Sequence, residues 1–220
     1  MSVRERLSEV RNRIERSAIR AGRDPHSITL VAVTKVFPAS AIREAYEAGV
    51  LDFGENYVQE FESKEPEVRD LTGARLHLIG HLQSNKARRA SELFHVIETV
   101  DSPKLARRLD EAAHPLDIML EVKLSLEEAK SGADPAELPA LIDSVRASKN
   151  LHLLGLMTVA PWTEDAEQSR PYFRRLRELG SQYGLPHLSM GMSHDFEVAI
   201  EEGATFIRLG TALFGKRKKP

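Results

Sequence analysis

ITLVAVTKVFPASAIREAYEAGVLDFGEN, residues 28–56, is the stretch that decides the fold. Residues 28–35 form a short β-branched run with no room for a helix, which predicts a buried strand. Pro38 ends the run, and the segment after it is typical of a short amphipathic helix with Gly49 just past its end. LDFGEN then predicts a second strand. Because such units are joined by right-handed crossovers, we expect the two strands to be parallel.

The same alternation of strand and helix repeats along the rest of the chain. Eight runs predict strands, and they start near Ile28, Leu51, Arg75, Phe94, Leu116, Leu151, His187 and Phe206. These runs are nearly continuous in apolar residues, as the strands of buried parallel sheets are. Eight such units predict a single (β/α)8 TIM barrel that occupies residues 1–220 as one domain. The alternative is an open doubly wound sheet, but the sequence contains neither GxGxxG after the first strand nor GxxxxGK[ST].

The two ends of the chain are expected to lie outside the repeating pattern. Residues 1–22 predict an extra N-terminal helix with one apolar face. The residues of that face are Val3, Leu7, Val10, Ile14 and Ala18. Residues 216–220, KRKKP, form a basic tail, and a short charged tail is usually solvated rather than a nucleic-acid site.

The composition excludes several classes of chemistry. The 220 residues include 31 Lys and Arg against 33 Asp and Glu, a net charge of −2 that gives no reason to expect a nucleic-acid partner. The chain has no cysteine, which excludes disulfides, cysteine-ligated metals and thiol nucleophiles. No apolar run is long enough for a secretion signal or a membrane span. We therefore expect a soluble, cytoplasmic protein whose chemistry depends on other side chains or on a cofactor.

Lys35 is the most distinctive polar residue at the carboxyl ends of the predicted strands, the face that holds the active sites of (β/α)8 barrels. It finishes an otherwise apolar strand, so its amine is partly desolvated, which favours the neutral form that attacks an aldehyde. The alternative is a lysine whose stem packs on the rim while its amine reaches solvent.

Two turns on the last two predicted strands resemble an anion site. Ser193 lies at the start of a helix, and Gly210 and Thr211 follow the eighth strand, where barrels of this class often bind phosphate. A simple helix cap at Ser193 is the alternative. Arg208 alternates with apolar neighbours, which predicts that it points into the barrel mouth, towards either a ligand or a structural ion pair.

Metal and hydrolase sites are poorly supported. His77 and His81 are four residues apart, which on a strand would place them on one face, but a third ligand is missing and no metal is expected. A Ser-His-Asp hydrolase is disfavoured because the sequence has no GxSxG motif.

Five blocks in a fixed order carry a resemblance to a known family. They are TLVAVTKVFPASAIREAYEAG, FGENYVQE, HLIGHLQSNKAR, GLMTVAP and LSMGMSHDFEVAIEEGATFIRLGTALFG. Together, over about residues 3–215, they resemble the YggS/PROSC family of pyridoxal-phosphate-binding homeostasis proteins. The resemblance implies a barrel similar to the N-terminal domain of alanine racemase, with pyridoxal 5'-phosphate (PLP) as cofactor. Lys123 stands where many members of that family carry Asn, and His194 stands where Asp is common. Neither touches the lysine or phosphate motifs, so we expect only local loop contacts to differ.

The resemblance also implies roles for individual residues. Lys35 is expected to form a covalent Schiff base with PLP. Further cofactor-binding residues are expected to be Asn56, Met157, Ser193, Arg208, Gly210 and Thr211, of which Ser193, Gly210 and Thr211 hold the phosphate. Arg208 is expected to face the pyridine nitrogen. An arginine there leaves that nitrogen largely unprotonated and weakens carbanion stabilisation, which argues against transaminase and decarboxylase chemistry.

Three functions fit an amine beside a phosphate site. The favoured one is a non-enzymatic PLP-binding protein of vitamin B6 and amino-acid homeostasis, a monomer with PLP-dependent apoenzymes as candidate partners. The alternative is a PLP-dependent amino-acid racemase, which needs a second base opposite Lys35. Tyr57 is the nearest candidate for this base. In alanine racemase a second domain supplies the base, and we expect no such domain in this sequence. A Schiff-base aldolase is a remote third function.

Overall fold

Eight parallel strands close into a barrel in which each strand pairs with its neighbour in the sequence and the eighth pairs with the first. This computed structural model describes residues 1–112, 114–125 and 131–215. The closed strand order confirms the expected (β/α)8 barrel. The basic tail at 216–220 lies outside the described residues.

The strands begin within two residues of their predicted starts. They are β1 (Thr29–Val33), β2 (Asp52–Glu55), β3 (Arg75–Leu78), β4 (Val96–Val100), β5 (Leu116–Glu121), β6 (Leu151–Met157), β7 (His187–Met192) and β8 (Phe206–Leu209). Their side chains are mostly buried on both faces, which explains the nearly continuous apolar runs in the sequence.

One helix precedes the barrel and one follows each strand. They are α1 (Val3–Arg20), α2 (Ala39–Glu47), α3 (Val58–Lys64), α4 (Ala87–Leu93), α5 (Pro103–Asp110), α6 (Leu138–Arg146), α7 (Arg170–Tyr183), α8 (Phe196–Glu201) and α9 (Thr211–Phe214). The run FIRLGTALFG, residues 206–215, is a strand only in its first half. The second half turns into the short helix α9 at Gly210, whose φ/ψ of −106°/−80° is not that of a strand.

The N-terminal helix α1 packs on the outside of the barrel, as its apolar face predicts. Ser2 caps it through a reciprocal capping box with Glu5. Arg13 holds α1 against α8 by two hydrogen bonds to the Glu197 carboxylate, at 2.8 and 3.3 Å, and lies 4.5 Å above the ring centroid of Phe196. The helix is thus part of the outer layer rather than a separate unit.

Within the described residues, no helix is both long enough and apolar enough to span a bilayer. The longest, α1, has 18 residues, but it carries charged residues on its outer face.

Candidate functional site

The residues predicted to bind a ligand lie at one edge of the barrel, on five consecutive strands. They are Met157 of β6, Ser193 after β7, Arg208, Gly210 and Thr211 of β8 and its turn, Lys35 after β1, and Asn56 after β2. Closure of the barrel between β8 and β1 brings the first and last of these segments together. A Cβ placed on Gly210, for example, would lie 3.6 Å from the Val33 Cβ. The strand ends therefore assemble one candidate site from residues up to 176 positions apart, from 35 to 211.

Lys35 lies two residues beyond the end of β1, in a turn rather than in the strand. Its side chain is half-buried. The next residue, Val36, has a φ of +61°, a left-handed conformation that is costly for a β-branched side chain. The backbone N–H of Val36 donates a hydrogen bond to Glu60 Oε1, which fixes this strained residue in place. The turn therefore holds the lysine backbone in one conformation.

A buried lysine of α3, Lys64, stabilises the same turn. Its Nζ donates to the Thr34 carbonyl oxygen at 3.0 Å, to Glu55 Oε1 at 2.9 Å and to Glu60 Oε1 at 2.6 Å. The Thr34 hydroxyl also donates to Glu55 Oε1, at 2.7 Å. Burial by itself raises the pKa of Glu55, more than these hydrogen bonds and the Lys64 charge lower it. Both neighbours of Lys35 are thus tied to one buried charged cluster.

Ser193 and the turn after β8 face each other. The Ser193 Oγ accepts hydrogen bonds from the backbone N–H of Gly210, at 3.2 Å, and of Ala212, at 3.1 Å. Thr211, between them, is exposed. Backbone N–H groups that converge on one point, beside two hydroxyl side chains, can bind a phosphate oxygen. The structure therefore brings together the three residues expected to hold a phosphate.

Arg208 lies inside the barrel and is 4% exposed. Its Nη1 donates to the Ser189 hydroxyl at 2.7 Å, and its Nη2 donates to the Thr158 carbonyl oxygen at 2.8 Å. Burial lowers the pKa of the guanidinium from its very high ordinary value, while the carboxylates around it oppose that change. An arginine remains charged under such conditions. The guanidinium is thus a fixed cation at the base of the site.

Asn56 and Met157 complete the predicted set on either side. The Asn56 Oδ1 is buried and has no hydrogen-bond partner among the described residues. Gly80 packs so closely on the Asn56 backbone that an added Cβ would lie 2.3 Å from its carbonyl oxygen. Met157 is fully buried in a small apolar cluster that also contains Val31, Met119 and Phe206. Asn56 thus offers a polar group to a ligand, whereas Met157 forms part of the apolar support.

Glu121 ends β5 beside this site and was not predicted from the sequence. It is 7% exposed, and its Oε2 has no hydrogen-bond partner among the described residues. Burial raises the pKa of Glu121 to about 7, the negative charge of Asp101 adds to this, and the positive charge of Arg208 opposes it. The carboxyl group therefore changes its charge near neutral pH.

The raised pKa of Glu121 makes stability depend on pH. Between about pH 4.5 and 7 the unfolded chain loses the Glu121 proton while the folded chain keeps it, so the free energy of unfolding decreases as the pH rises through this window. We expect Glu121→Gln to remove this loss. The free energy of unfolding of the variant, relative to that of the unsubstituted chain, should therefore increase by about 3 kcal/mol between pH 4 and pH 8. Urea unfolding at the two pH values measures this. Glu15→Gln, on the exposed face of α1, is the control, and equal behaviour of the two variants would contradict the prediction.

One sequence-based interpretation needs correction. His77 and His81 do not share a strand face, because β3 ends at Leu78 and His81 lies in the exposed loop beyond it. The described residues contain no group of three or more acidic or histidine side chains able to hold a metal ion.

Gly191, two residues before Ser193, is required by the packing of α8. Its φ is +89°, and an added Cβ would lie 2.5 Å from the Ala199 Cβ.

The two residues that depart from the family pattern lie near the rim. His194 is exposed, and its ring centroid lies 6.2 Å from that of the exposed Trp162. The Lys123 backbone N–H donates to the Ala133 carbonyl oxygen at 3.0 Å, which ties β5 to the following loop. Neither of these contacts involves Lys35 or the Ser193 turn.

The sequence analysis missed the buried charged residues Glu98, Glu121 and Lys64. The first two lie in predicted strands that are otherwise apolar, FHVIETV and LDIMLEVKL. A charged residue within such a strand is a usable signal, since a buried charge must be paired or neutralised. Lys64 gave no such signal, because a lysine in a charged helix is normally exposed.

Comparison with known proteins gives matches along nearly the whole chain. Residues 6–218 match the family model described as "Alanine racemase, N-terminal domain". A pyridoxal phosphate homeostasis protein of Pseudomonas aeruginosa is 46% identical over 222 residues, covering 98% of this chain and 96% of the relative.

Solved structures agree with the barrel. PipY of Synechococcus elongatus, in a structure with PLP bound, is 42% identical with a TM-score of 0.84, covering 97% of this chain and 100% of PipY. Alanine racemase of Corynebacterium glutamicum shares the fold at 19% identity and a TM-score of 0.69, and 61% of that chain is covered.

Proposed function

Because the chain belongs to the family of the alanine racemase N-terminal domain, and its nearly full-length relatives are pyridoxal phosphate homeostasis proteins, we propose that it binds PLP reversibly and serves PLP homeostasis. The observation that carries this proposal is the combination, at one barrel edge, of Lys35, the Ser193 turn and buried Arg208. A primary amine, a phosphate-binding turn and a group for the ring nitrogen are the contacts that PLP requires.

The residues present fit the cofactor. The buried Asn56 Oδ1 lacks a partner among the described residues, so it accepts a hydrogen bond from a ligand without losing another. Arg208 uses two of the five N–H groups of a guanidinium in its bonds to Ser189 and Thr158. Met157 offers an apolar surface. The described site thus supplies a nucleophile, hydrogen-bond donors, an acceptor and a packing surface.

Each residue then has a role in holding the cofactor. The hydroxyls of Ser193 and Thr211 would bind the phosphate, and the backbone N–H groups of Gly210 and Ala212 would turn to it from the Ser193 Oγ that they now contact. Arg208 donates a hydrogen bond to the ring nitrogen and keeps it unprotonated, and the turn around Lys35 orients its amine. When bound, PLP would supply an aldehyde with which the Lys35 amine can condense with release of water, and hydrolysis would reverse this bond.

We propose a carrier rather than an enzyme. Racemisation would need a second base opposite Lys35, and Tyr57, the candidate from the sequence, has an exposed side chain at the start of α3. Incubation of the PLP-loaded chain with L-alanine and other L-amino acids, followed by an assay for D-isomers, tests this. Sustained turnover would contradict the carrier and favour the racemase.

Absorption spectroscopy with added PLP tests the proposed function directly. We expect the chain, purified without cofactor, to gain a visible absorption band on addition of PLP, and borohydride to fix one cofactor per chain at Lys35. Peptide mass mapping identifies the modified residue. A chain that gains no band, or that is modified at scattered exposed lysines, would contradict the proposal.

The proposal includes a monomeric, cytoplasmic carrier with a single cofactor-binding domain that supplies PLP-dependent apoenzymes. Light scattering on the chain as it elutes from a size-exclusion column should give the mass of a monomer, near 24.6 kDa. Mixing the PLP-loaded chain with an excess of an apoenzyme should restore that enzyme's activity. We expect this reactivation to be faster than the spontaneous release of PLP from the chain, which is measured with a trap for free PLP.

A further inference from the structure

A continuous chain of hydrogen bonds runs through the barrel interior below Arg208. The Ser189 hydroxyl, which accepts from Arg208, donates to Glu98 Oε2 at 2.5 Å. The other oxygen of that carboxylate, Oε1, lies 2.8 Å from His77 Nδ1, and His77 Nε2 lies 2.9 Å from Asp52 Oδ1. This hydrogen-bond network thus crosses the barrel from Asp52 at the start of β2 to the site at the opposite edge.

The titratable groups of this hydrogen-bond network stabilise one another's charged forms. Burial by itself lowers the pKa of His77, but the hydrogen bonds and charges of Asp52 and Glu98 outweigh it and raise that pKa. Burial likewise raises the pKa of Glu98 by itself, but the His77 hydrogen bond, with the charges of His77 and Arg208, lowers it overall. Glu98 therefore lies between the His77 ring and the Arg208 guanidinium, bonded to the first directly and to the second through Ser189.

Glu98 has no exposed surface, and the same holds for Ser189 and His77. Hydrogen bonds to charged groups are stronger where water is excluded, and a buried charge is costly to leave unpaired. The other charged groups that act on Arg208 are Glu121 of β5 and Asp195 at the start of α8. Neither of them bonds to its guanidinium among the described contacts, so the guanidinium is held by the Thr158 carbonyl oxygen on one side and by the Ser189–Glu98 pair, the charged anchor, on the other.

We propose that Glu98 is the positioning residue of the cofactor site: acting through Ser189, it fixes the Arg208 guanidinium and thereby keeps the cofactor's ring nitrogen unprotonated. This rests on the proposed PLP binding and assigns a role to residues that do not touch the cofactor. His77, held by Asp52, orients the Glu98 carboxylate in turn. Without the anchor, the guanidinium moves and the ring nitrogen gains affinity for a proton.

Ser189→Ala tests the positioning role without changing any charge. We expect this variant to bind PLP about tenfold more weakly, the effect of one buried hydrogen bond to a charged group. With PLP labelled with ¹⁵N in the ring, we expect the nitrogen resonance to shift towards that of the protonated ring. Borohydride should still fix one cofactor per chain. Glu98→Gln should shift the resonance in the same direction.

Ser17→Ala is the matched control. Ser17 is also fully buried and accepts a hydrogen bond from an arginine, Arg20 Nη2, at 3.1 Å, but it lies in α1 outside the barrel. A Ser189→Ala variant with the affinity and ring-nitrogen resonance of the unsubstituted chain would overturn the positioning role, and so would equal changes in Ser17→Ala. If the unsubstituted chain itself takes up no PLP, the proposed function fails instead.

Discussion

Lys35→Ala is expected to abolish the covalent capture of PLP. The variant removes the amine that bonds to the cofactor aldehyde but leaves the Ser193 turn and Arg208 in place. The visible absorption band should be lost, and the cofactor fixed by borohydride should fall to background. Residual PLP should bind non-covalently through its phosphate and be removed by gel filtration.

Lys149→Ala is the control for this experiment. Lys149 is exposed in the turn before β6, at the opposite edge of the barrel, and should keep one fixed cofactor per chain. Lys64 is also near the site, because its Nζ donates to the Thr34 carbonyl oxygen, and it is a lysine that could replace Lys35 as nucleophile. A Lys35→Ala chain with a full visible band and a modified Lys64 would contradict the assignment.

Gly155→Ala is expected to destabilise the fold by at least about 4 kcal/mol, the range of the most severe single substitutions. A Cβ on Gly155 would lie 1.8 Å from the His187 carbonyl oxygen, and both residues belong to the paired strands β6 and β7. Neither backbone can move without breaking the ladder that positions Met157 and Ser189 beside each other. Urea unfolding measures the loss, and failure to obtain folded protein is the same result in stronger form.

Gly73→Ala separates this steric clash from the general cost of replacing a glycine. Gly73 has a φ of +79° with open space around it. Its replacement should cost only about 1 kcal/mol, the penalty of a left-handed conformation for alanine. If Gly155→Ala were no more destabilising than Gly73→Ala, the prediction that β6 and β7 are too close for a side chain at residue 155 would be contradicted.

Much of the candidate site could be predicted from the sequence because strand ends are local features. The run that ends at Lys35 and the glycine-containing turn at Gly210 are visible in short windows. Parallel strands place their carboxyl ends at one edge, so residues far apart in sequence could be expected to meet. The conformation of Val36 and the partners of Lys64 could not be predicted, since both depend on α3 packing against the turn.

The sequence by itself determined the order of strands and helices, the barrel and the edge at which Lys35 lies, because hydrophobic period and turn residues act over short distances. Only the tertiary structure decided which charges are paired. The Ser189–Glu98 hydrogen bond joins residues 91 positions apart, and the raised pKa of Glu121 arises from burial that no local pattern specifies. Burial and charge pairing depend on the closed barrel, which excludes water from its interior and brings distant strands within hydrogen-bond distance.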